Sequence, residues 1–210
     1  MRSKFNRWTW IGILLLIAGL AGWLGFFREW SDNKAYEENA RNLLDQSLNL
    51  GLERAALDAD MAIESIRQQA DERTILEQLG SLAMQLRSAE GTVYSISPYF
   101  ENGGATAYLI YNVLGDYALS VEQDFAGEIS SQVLDQADGR NKMIRLLEIL
   151  SKDLTRLRAN LGGAELFSGD PGMVEEIWRD TVRDIVIQNE ELPLHNRIKL
   201  KYGFDAEDGS

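Results

Sequence analysis

The sequence predicts an all-α protein, an N-terminal transmembrane helix followed by an antiparallel helical bundle. Three observations carry this expectation. Residues 8–27 read WTWIGILLLIAGLAGWLGFF and contain no charge. Beyond them, apolar residues recur at steps of three and four over several long stretches. The stretches are separated by short Gly-, Pro- and Asp-containing segments, with no strand-rich region and no repeat of fixed period.

The length of 210 residues fits one domain, or one domain plus an anchor. With 21 Lys+Arg against 33 Asp+Glu the net charge is -12, which disfavours a phosphate-binding surface and hence a nucleic-acid partner. The absence of cysteine excludes a disulfide framework, and a single histidine cannot build a Cys/His zinc site. The 45% hydrophobic content is enough for a packed core.

The uncharged run at 8–27 would span about 30 Å as a helix, the hydrocarbon thickness of a bilayer. Trp8 and Trp10 stand at one end and Trp23, Phe26, Phe27 and Trp30 near the other, where aromatic rings favour the interface. Residues 1–7 carry Arg2, Lys4 and Arg7 and no acid, leaving 18 basic against 33 acidic groups in 28–210. The basic tail is expected to stay in the cytoplasm and the acidic remainder to be exported. Arg28, Lys34 and Arg41 follow the run, so the orientation rests on the compact tail. Gly19-Leu20-Ala21 would pass as a signal-peptide cleavage site. The apolar run continues through Phe27, however, which favours an uncleaved anchor.

The bundle is expected over 28–191 and a C-terminal tail over 192–210. A first helix, about 33–70, carries Leu44, Leu48, Leu52, Ala55, Ala59, Ala62, Ile66 and Ala70 on one stripe, with a break at Arg73-Thr74. A second carries Ile75, Leu79, Leu82, Leu86, Ala89, Val93, Ile96 and Phe100 at strictly alternating steps of four and three, a heptad seam. Pro98 limits its end, and Glu101-Asn102-Gly103-Gly104 is a turn. The seam could also serve a homodimer; intramolecular packing is favoured because neighbouring helices of similar length are at hand.

A third helix, about 105–125, has the stripe Ala107, Ile110, Leu114, Tyr117, Val121 and Phe125; 128–138 is a short helix or part of a longer one. A fourth, about 141–161, carries Ile144, Leu147, Leu150, Leu154, Leu157 and Leu161, and Gly162-Gly163 ends it. Asp170 as N-cap and Pro171 at the first position open a shorter helix with Val174, Ile177, Thr181 and Ile185 buried and Trp178 flanking. The tail segment 198–202 alternates with period two, as an unpaired strand or a disordered end would.

Chemistry-bearing constellations are scarce. His195 is expected on the surface of the tail, without the fixed neighbour a general base needs. The acidic pairs Asp58/Asp60, Asp135/Asp138 and Glu175/Glu176 lack calcium-loop spacing and read as solvated faces. No serine lies in a Gly-x-Ser-x-Gly setting, and no Gly-x-Gly-x-x-Gly loop follows a strand. Neither cofactor nor metal is expected, and the chain is not expected to be an enzyme.

The aromatic group Tyr94, Tyr99, Phe100, Tyr108, Tyr111, Tyr117 and Phe125 reads first as core. Tyr94, Tyr99, Tyr108 and Tyr111 are nevertheless the candidate docking surface for a partner protein. Arg54, Arg67, Arg87, Arg156 and Arg158 are expected at its rim.

The stretch Gly22-Trp23-Leu24-Gly25-Phe26-Phe27-Arg28-Glu29, the following AYEENARN at 35–42, Ala89-Glu90-Gly91-Thr92-Val93, Ser97-Pro98-Tyr99-Phe100, and LGDYALSV at 114–121 carry a resemblance. Together with the helix around Trp178 they resemble the anchored part of the YpeB family of sporulation and germination proteins, over most of 10–185. The resemblance implies a non-catalytic bundle on the outer face of the spore's inner membrane that supports a cortex-lytic hydrolase. That family continues into peptidase-inhibitor-like PepSY repeats, which these 210 residues do not include; on this view 198–202 is a strand remnant. No catalytic residue is carried over. The competing expectation is an extracytoplasmic ligand-sensing bundle that signals through a partner membrane protein.

Overall fold

A computed structural model describes residues 31, 34–102, 104–130, 133–161, 171–189 and 191–204. The chain divides into two units, Met1–Ala40 and Arg41–Ser210. In the first, residues 34–40 are helical. The predicted span at 8–27 and the predicted cap Asp170 lie outside the described residues. Among the described residues no helix is long and apolar enough to cross a membrane.

The second unit is all-helical in its described residues. After a π-helical turn, Asp45–Asn49, come α1 (Leu50–Arg67), α2 (Glu72–Ser95), α3 (Ser97–Asn102) and α4 (Tyr108–Ser120). A second π-helical turn, Val121–Phe125, leads into α5 (Ala126–Ser130), and a 3-10 turn, Val133–Asp135, precedes α6 (Ala137–Leu161). The order ends with α7 (Pro171–Gln188) and α8 (Pro193–Tyr202).

Helix α1 packs between α2 and α6, α4 lies on α2, α7 on α6, and α8 touches both α7 and α4. The neighbours run antiparallel, as cross-helix pairs demonstrate. Ser81 donates to Asp58 while Gly51 faces Ala89, and Ser151 donates to Asp60 while Arg158 pairs with Glu53. Ala55, Ala59 and Ala62 are fully buried, so α1 lies close to both neighbours. Asp58 and Asp60 are therefore not a solvated face: each takes a serine hydroxyl from a different neighbouring helix, at 2.7 and 2.8 Å.

The seam of α2 is core: Ile75, Leu79, Leu82, Leu86, Ala89 and Val93 are buried, and Ile96 and Phe100 continue it past the helix end. The α1–α2 break falls earlier than Arg73-Thr74. Gln69 takes φ 56°, and Asp71 accepts from Thr74 N–H at 2.9 Å and its hydroxyl at 3.0 Å. An N-cap aspartate three residues ahead of Thr74 fixes the start of α2. Pro98 is the second residue of α3, where its missing N–H costs no helical bond. Gly104, at φ 75°, closes the expected turn.

Helix α6 begins at Ala137, ahead of the expected 141, so Asp138 and Gly139 lie in its first turn. Gly139 is required there: a Cβ would stand 2.1 Å from the Val133 carbonyl oxygen. Met143, Leu147, Leu150, Leu154 and Leu157 are buried, whereas Ile144 is half-buried. On α7 the buried stripe is Val174, Trp178, Thr181, Val182, Ile185 and Val186. Trp178 is thus a core residue and not a flanking one, and Ile177 is half-buried.

The largest departure is the segment expected to be a tail. Residues 193–202 form a helix with Pro193 in its first turn and Gly203 as left-handed C-cap at φ 69°. Leu194, His195 and Ile198 are buried while Leu200 is 78% exposed, so the apparent period of two in 198–202 is not a strand.

Candidate partner-docking surface

Tyr94 leaves the last turns of α2, and Tyr108 and Tyr111 lie one turn apart at the start of α4. Tyr94 is 63% and Tyr108 53% exposed, and Tyr111 is half-buried between them. The Tyr94 and Tyr111 rings meet edge to face, with centroids 5.4 Å apart and planes at 89°. Tyr111 and Tyr108 repeat this at 5.8 Å and 75°. Such T-shaped pairs are the preferred aromatic geometry, worth about 0.5–1.5 kcal/mol each beyond area burial. The first turn of α4 is fixed by Thr106, whose hydroxyl accepts from Tyr108 N–H at 3.1 Å and whose own N–H donates to Glu175 at 3.0 Å. Glu175 is thereby an anchor for the surface, and not merely a solvated acid.

Helix α8 supplies the border. Tyr202 Oη donates to Asp116 Oδ2 at 2.8 Å, and Lys201 Nζ donates to both oxygens of Asp116 at 2.7 and 2.8 Å. Burial first, then the hydrogen bond to Asp116, pushes the Tyr202 hydroxyl far above its ordinary value, with smaller contributions from nearby Tyr108 and Tyr111. The hydroxyl therefore stays protonated and donating. Neither Tyr202 nor Asp116 stood out in the sequence, because the segment carrying Tyr202 read as a tail.

Tyr99 does not join the surface. It is 4% exposed, accepts from Arg41 Nε at 3.3 Å and stacks edge to face on Phe100. The turn at Ile96 separates α3 from α2 and directs Tyr99 into the core. The arginines expected at the rim mostly tie helices together. Arg67 pairs with Glu148, Arg156 with Asp184, and Arg158 with Glu53, while Arg87 bridges Glu90 and Glu122. The Arg87 guanidinium is held charged by the hydrogen bonds it donates, to Glu122 first and Glu90 second.

Behind the surface lies a buried polar chain that the sequence did not reveal. Tyr117 Oη donates to Asp153 Oδ2 at 3.2 Å, and His195 Nε2 meets the same oxygen at 2.7 Å. His195 Nδ1 donates to the Asn189 carbonyl at 2.5 Å. His195 is fully buried, not a surface residue, and Tyr117 and Asp153 are nearly so. Because Nδ1 faces a carbonyl it must carry a hydrogen, so His195 and Asp153 share one further proton and together bear no net charge. Burial raises the Asp153 carboxyl above its ordinary value, opposed by the His195 hydrogen bond, the His195 charge and the Tyr117 hydroxyl. Burial likewise drives the Tyr117 hydroxyl far upward, so it remains a donor. The arrangement is suited to holding α8 against α4 and α6.

A separate cleft of about 420 Å³ opens at the far end of α1 and α2, with Ile66, Ile75 and Ile129 on its floor and Asp135 and Arg140 at its edge. Arg140 donates to the Leu134 carbonyl. Among the described residues no three His, Asp or Glu side chains converge as a metal site.

No protein family, curated protein or solved structure matches this chain.

Proposed function

We propose that this chain is a non-catalytic, single-pass membrane-anchored interaction protein, whose extracytoplasmic helical bundle presents the Tyr94–Tyr111–Tyr108 cluster to a partner protein. The observation that carries this reading is the cluster itself. Large aromatic side chains are held in fixed geometry by two helices, yet two of the three are more than half exposed. Tyrosine is a common energetic anchor at protein interfaces, because it contributes a large contact area and loses little conformational freedom. The anchor rests on the uncharged run at 8–27 and on the basic residues that precede it. The resemblance to YpeB-type proteins extends the proposal to a partner that is a cell-wall lytic enzyme, in the spore cortex during sporulation and germination.

The test is recovery of crosslinked partners from cells expressing the anchored chain, with wild type compared against a Tyr94→Ala/Tyr108→Ala/Tyr111→Ala variant. The exposed rings contribute little to the core, so the variant should keep its helical circular dichroism and lose the partner. A folded variant that keeps the partner would remove the cluster from the interface. Co-recovery of a cell-wall hydrolase from sporulating cells would support the cortex role; a signalling protein from growing cells would favour the sensor reading instead. The cleft between Ile66, Ile75 and Arg140 is the feature that favours that second reading.

A further inference from the structure

We propose that α8 is a proton-operated strap: closing it against α4 and α6 takes up one proton at the His195–Asp153 pair, so that α8 opens as pH rises above neutral. This does not rest on the docking reading above.

The geometry fixes the proton count. Helix α8 lies on α4 and α7, with Leu194, His195 and Ile198 facing inward. His195 Nδ1 faces the Asn189 carbonyl and therefore carries a hydrogen. His195 Nε2 stands 2.7 Å from Asp153 Oδ2. A bare ring nitrogen and a carboxylate oxygen are both acceptors, and two acceptors do not hold this distance without a hydrogen between them. Tyr117 Oη spends its own hydrogen on the same oxygen. The closed strap thus keeps one proton that belongs to the pair.

With α8 open, both side chains meet water. A solvated imidazole gives up this proton near pH ~6.5 and a solvated Asp carboxyl near ~3.9. Above about pH 6.5 the open pair holds no proton, and closing must bind one. The closed state then binds more protons than the open one, so closure weakens as pH rises. Between about pH 4 and 6.5 the open imidazole already carries the proton, and closing is insensitive to pH.

The surrounding charges keep their state above pH ~6.5. Tyr117 and Asp116 face α8 from α4, Asp124 from the second π-helical turn, and Asp153 with nearby Arg156 from α6. Helix α7 contributes Asp184, the partner of Arg156, beside buried Thr181, Val182 and Ile185. On α8 itself Arg197 pairs with Asp124, Lys201 and Tyr202 engage Asp116, and Lys199 lies in the last turn. Carboxylates titrate near pH ~4 and Lys and Arg above ~10. Burial drives the Tyr117 and Tyr202 hydroxyls upward. The chain has one histidine and no cysteine, so the pair is the side-chain group suited to respond just above neutral pH. Opening would also carry Tyr202 away from Asp116 and from Tyr108 and Tyr111, and so remodel the border of the tyrosine cluster.

The test is native-state amide hydrogen exchange on the full chain in detergent micelles, from about pH 5.5 to about pH 8.5, with each rate divided by the intrinsic rate at that pH. Protection of the α8 amides should stay level to about pH 6.5 and then fall roughly tenfold per pH unit, while α1 and α2 amides keep theirs. Asp153→Asn needs no shared proton, because an amide nitrogen can donate to His195 Nε2, and His195→Gln removes the titrating ring. Both variants should give a level α8 profile. A level wild-type profile would overturn the proposal, as would a slope that persists in Asp153→Asn or a fall in protection shared equally by α1 and α2. The wild-type profile decides the matter even if a variant does not fold.

Discussion

Leu86→Asp is expected to abolish folding of the bundle. Leu86 is fully buried in the α2 seam, and α2 meets both α1 and α4. The substitution removes about 1.5–3 kcal/mol of apolar burial. It also places a carboxylate where nothing in the seam can pair with it, a cost of several kcal/mol more even if the group takes up a proton. A domain of this size has roughly 5–15 kcal/mol in total, so the sum is comparable to the whole. Circular dichroism and a urea melt read the outcome: loss of the cooperative transition. A variant that stays folded and only loses self-association would place the seam between chains rather than within one.

His195→Ala is expected to be the most damaging change in the C-terminal region. It leaves Asp153 buried with only Tyr117 beside it, and breaking a buried pair in this way costs about 3–5 kcal/mol. For a domain of this length that corresponds to a melting temperature lower by on the order of 10 °C. The pH dependence has a definite sign. Without His195 the main influence that lowers the Asp153 carboxyl is gone and burial remains, so its folded value rises further above the unfolded one. A carboxyl raised in the folded state carries no penalty below its unfolded value, and the penalty grows as pH rises through its folded value. The deficit should therefore be largest at neutral pH and shrink in acid. Asp153→Asn should be milder: it removes the buried carboxylate, and an amide nitrogen at the position of the shared oxygen has two hydrogens to donate, one to His195 Nε2 and one to Tyr117 Oη. Equal stability of His195→Ala and wild type across pH would mean that the chain of bonds does not hold α8 in place.

The parts of the fold that were legible are those in which many residues repeat one message. In α2, Ile75 to Phe100 alternate steps of four and three over seven turns, and only a buried helix face satisfies that spacing. Helix α8 is too short to establish a period, and its lysines alternate with Ile198 and Leu200 in a way that imitates a strand. Its real signals were terminal: Pro193 at the start, Gly203 at the end, and Leu194, His195 and Ile198 at helical spacing. Position along the chain made it look like a tail, and tertiary contacts decided otherwise.

The tyrosine cluster was legible in part for a related reason. Tyr94, Tyr108 and Tyr111 meet because an antiparallel hairpin at Gly104 brings the end of α2 to the start of α4, and the glycines announced that hairpin. Tyr99 belonged to the same expectation, but the reset of helical phase at Ile96 turned it inward. Nothing local could reveal the pairing of His195 with Asp153 or of Tyr202 with Asp116, since those partners lie 42 and 86 residues apart. Trp178 was misjudged because the spacing of α7 was read from Ile177 instead of from the larger ring beside it.

The central claim is that partner binding occurs at the tyrosine surface rather than elsewhere on the bundle. Site-specific photocrosslinking tests it most directly, with the reactive side chain placed at Tyr108 or, as a control, at Leu57, which is 56% exposed on α1. The full chain is irradiated in its own cells. The expected result is a discrete protein adduct from position 108 and none from position 57. Adducts from position 57 alone, or equal labelling from both, would contradict it.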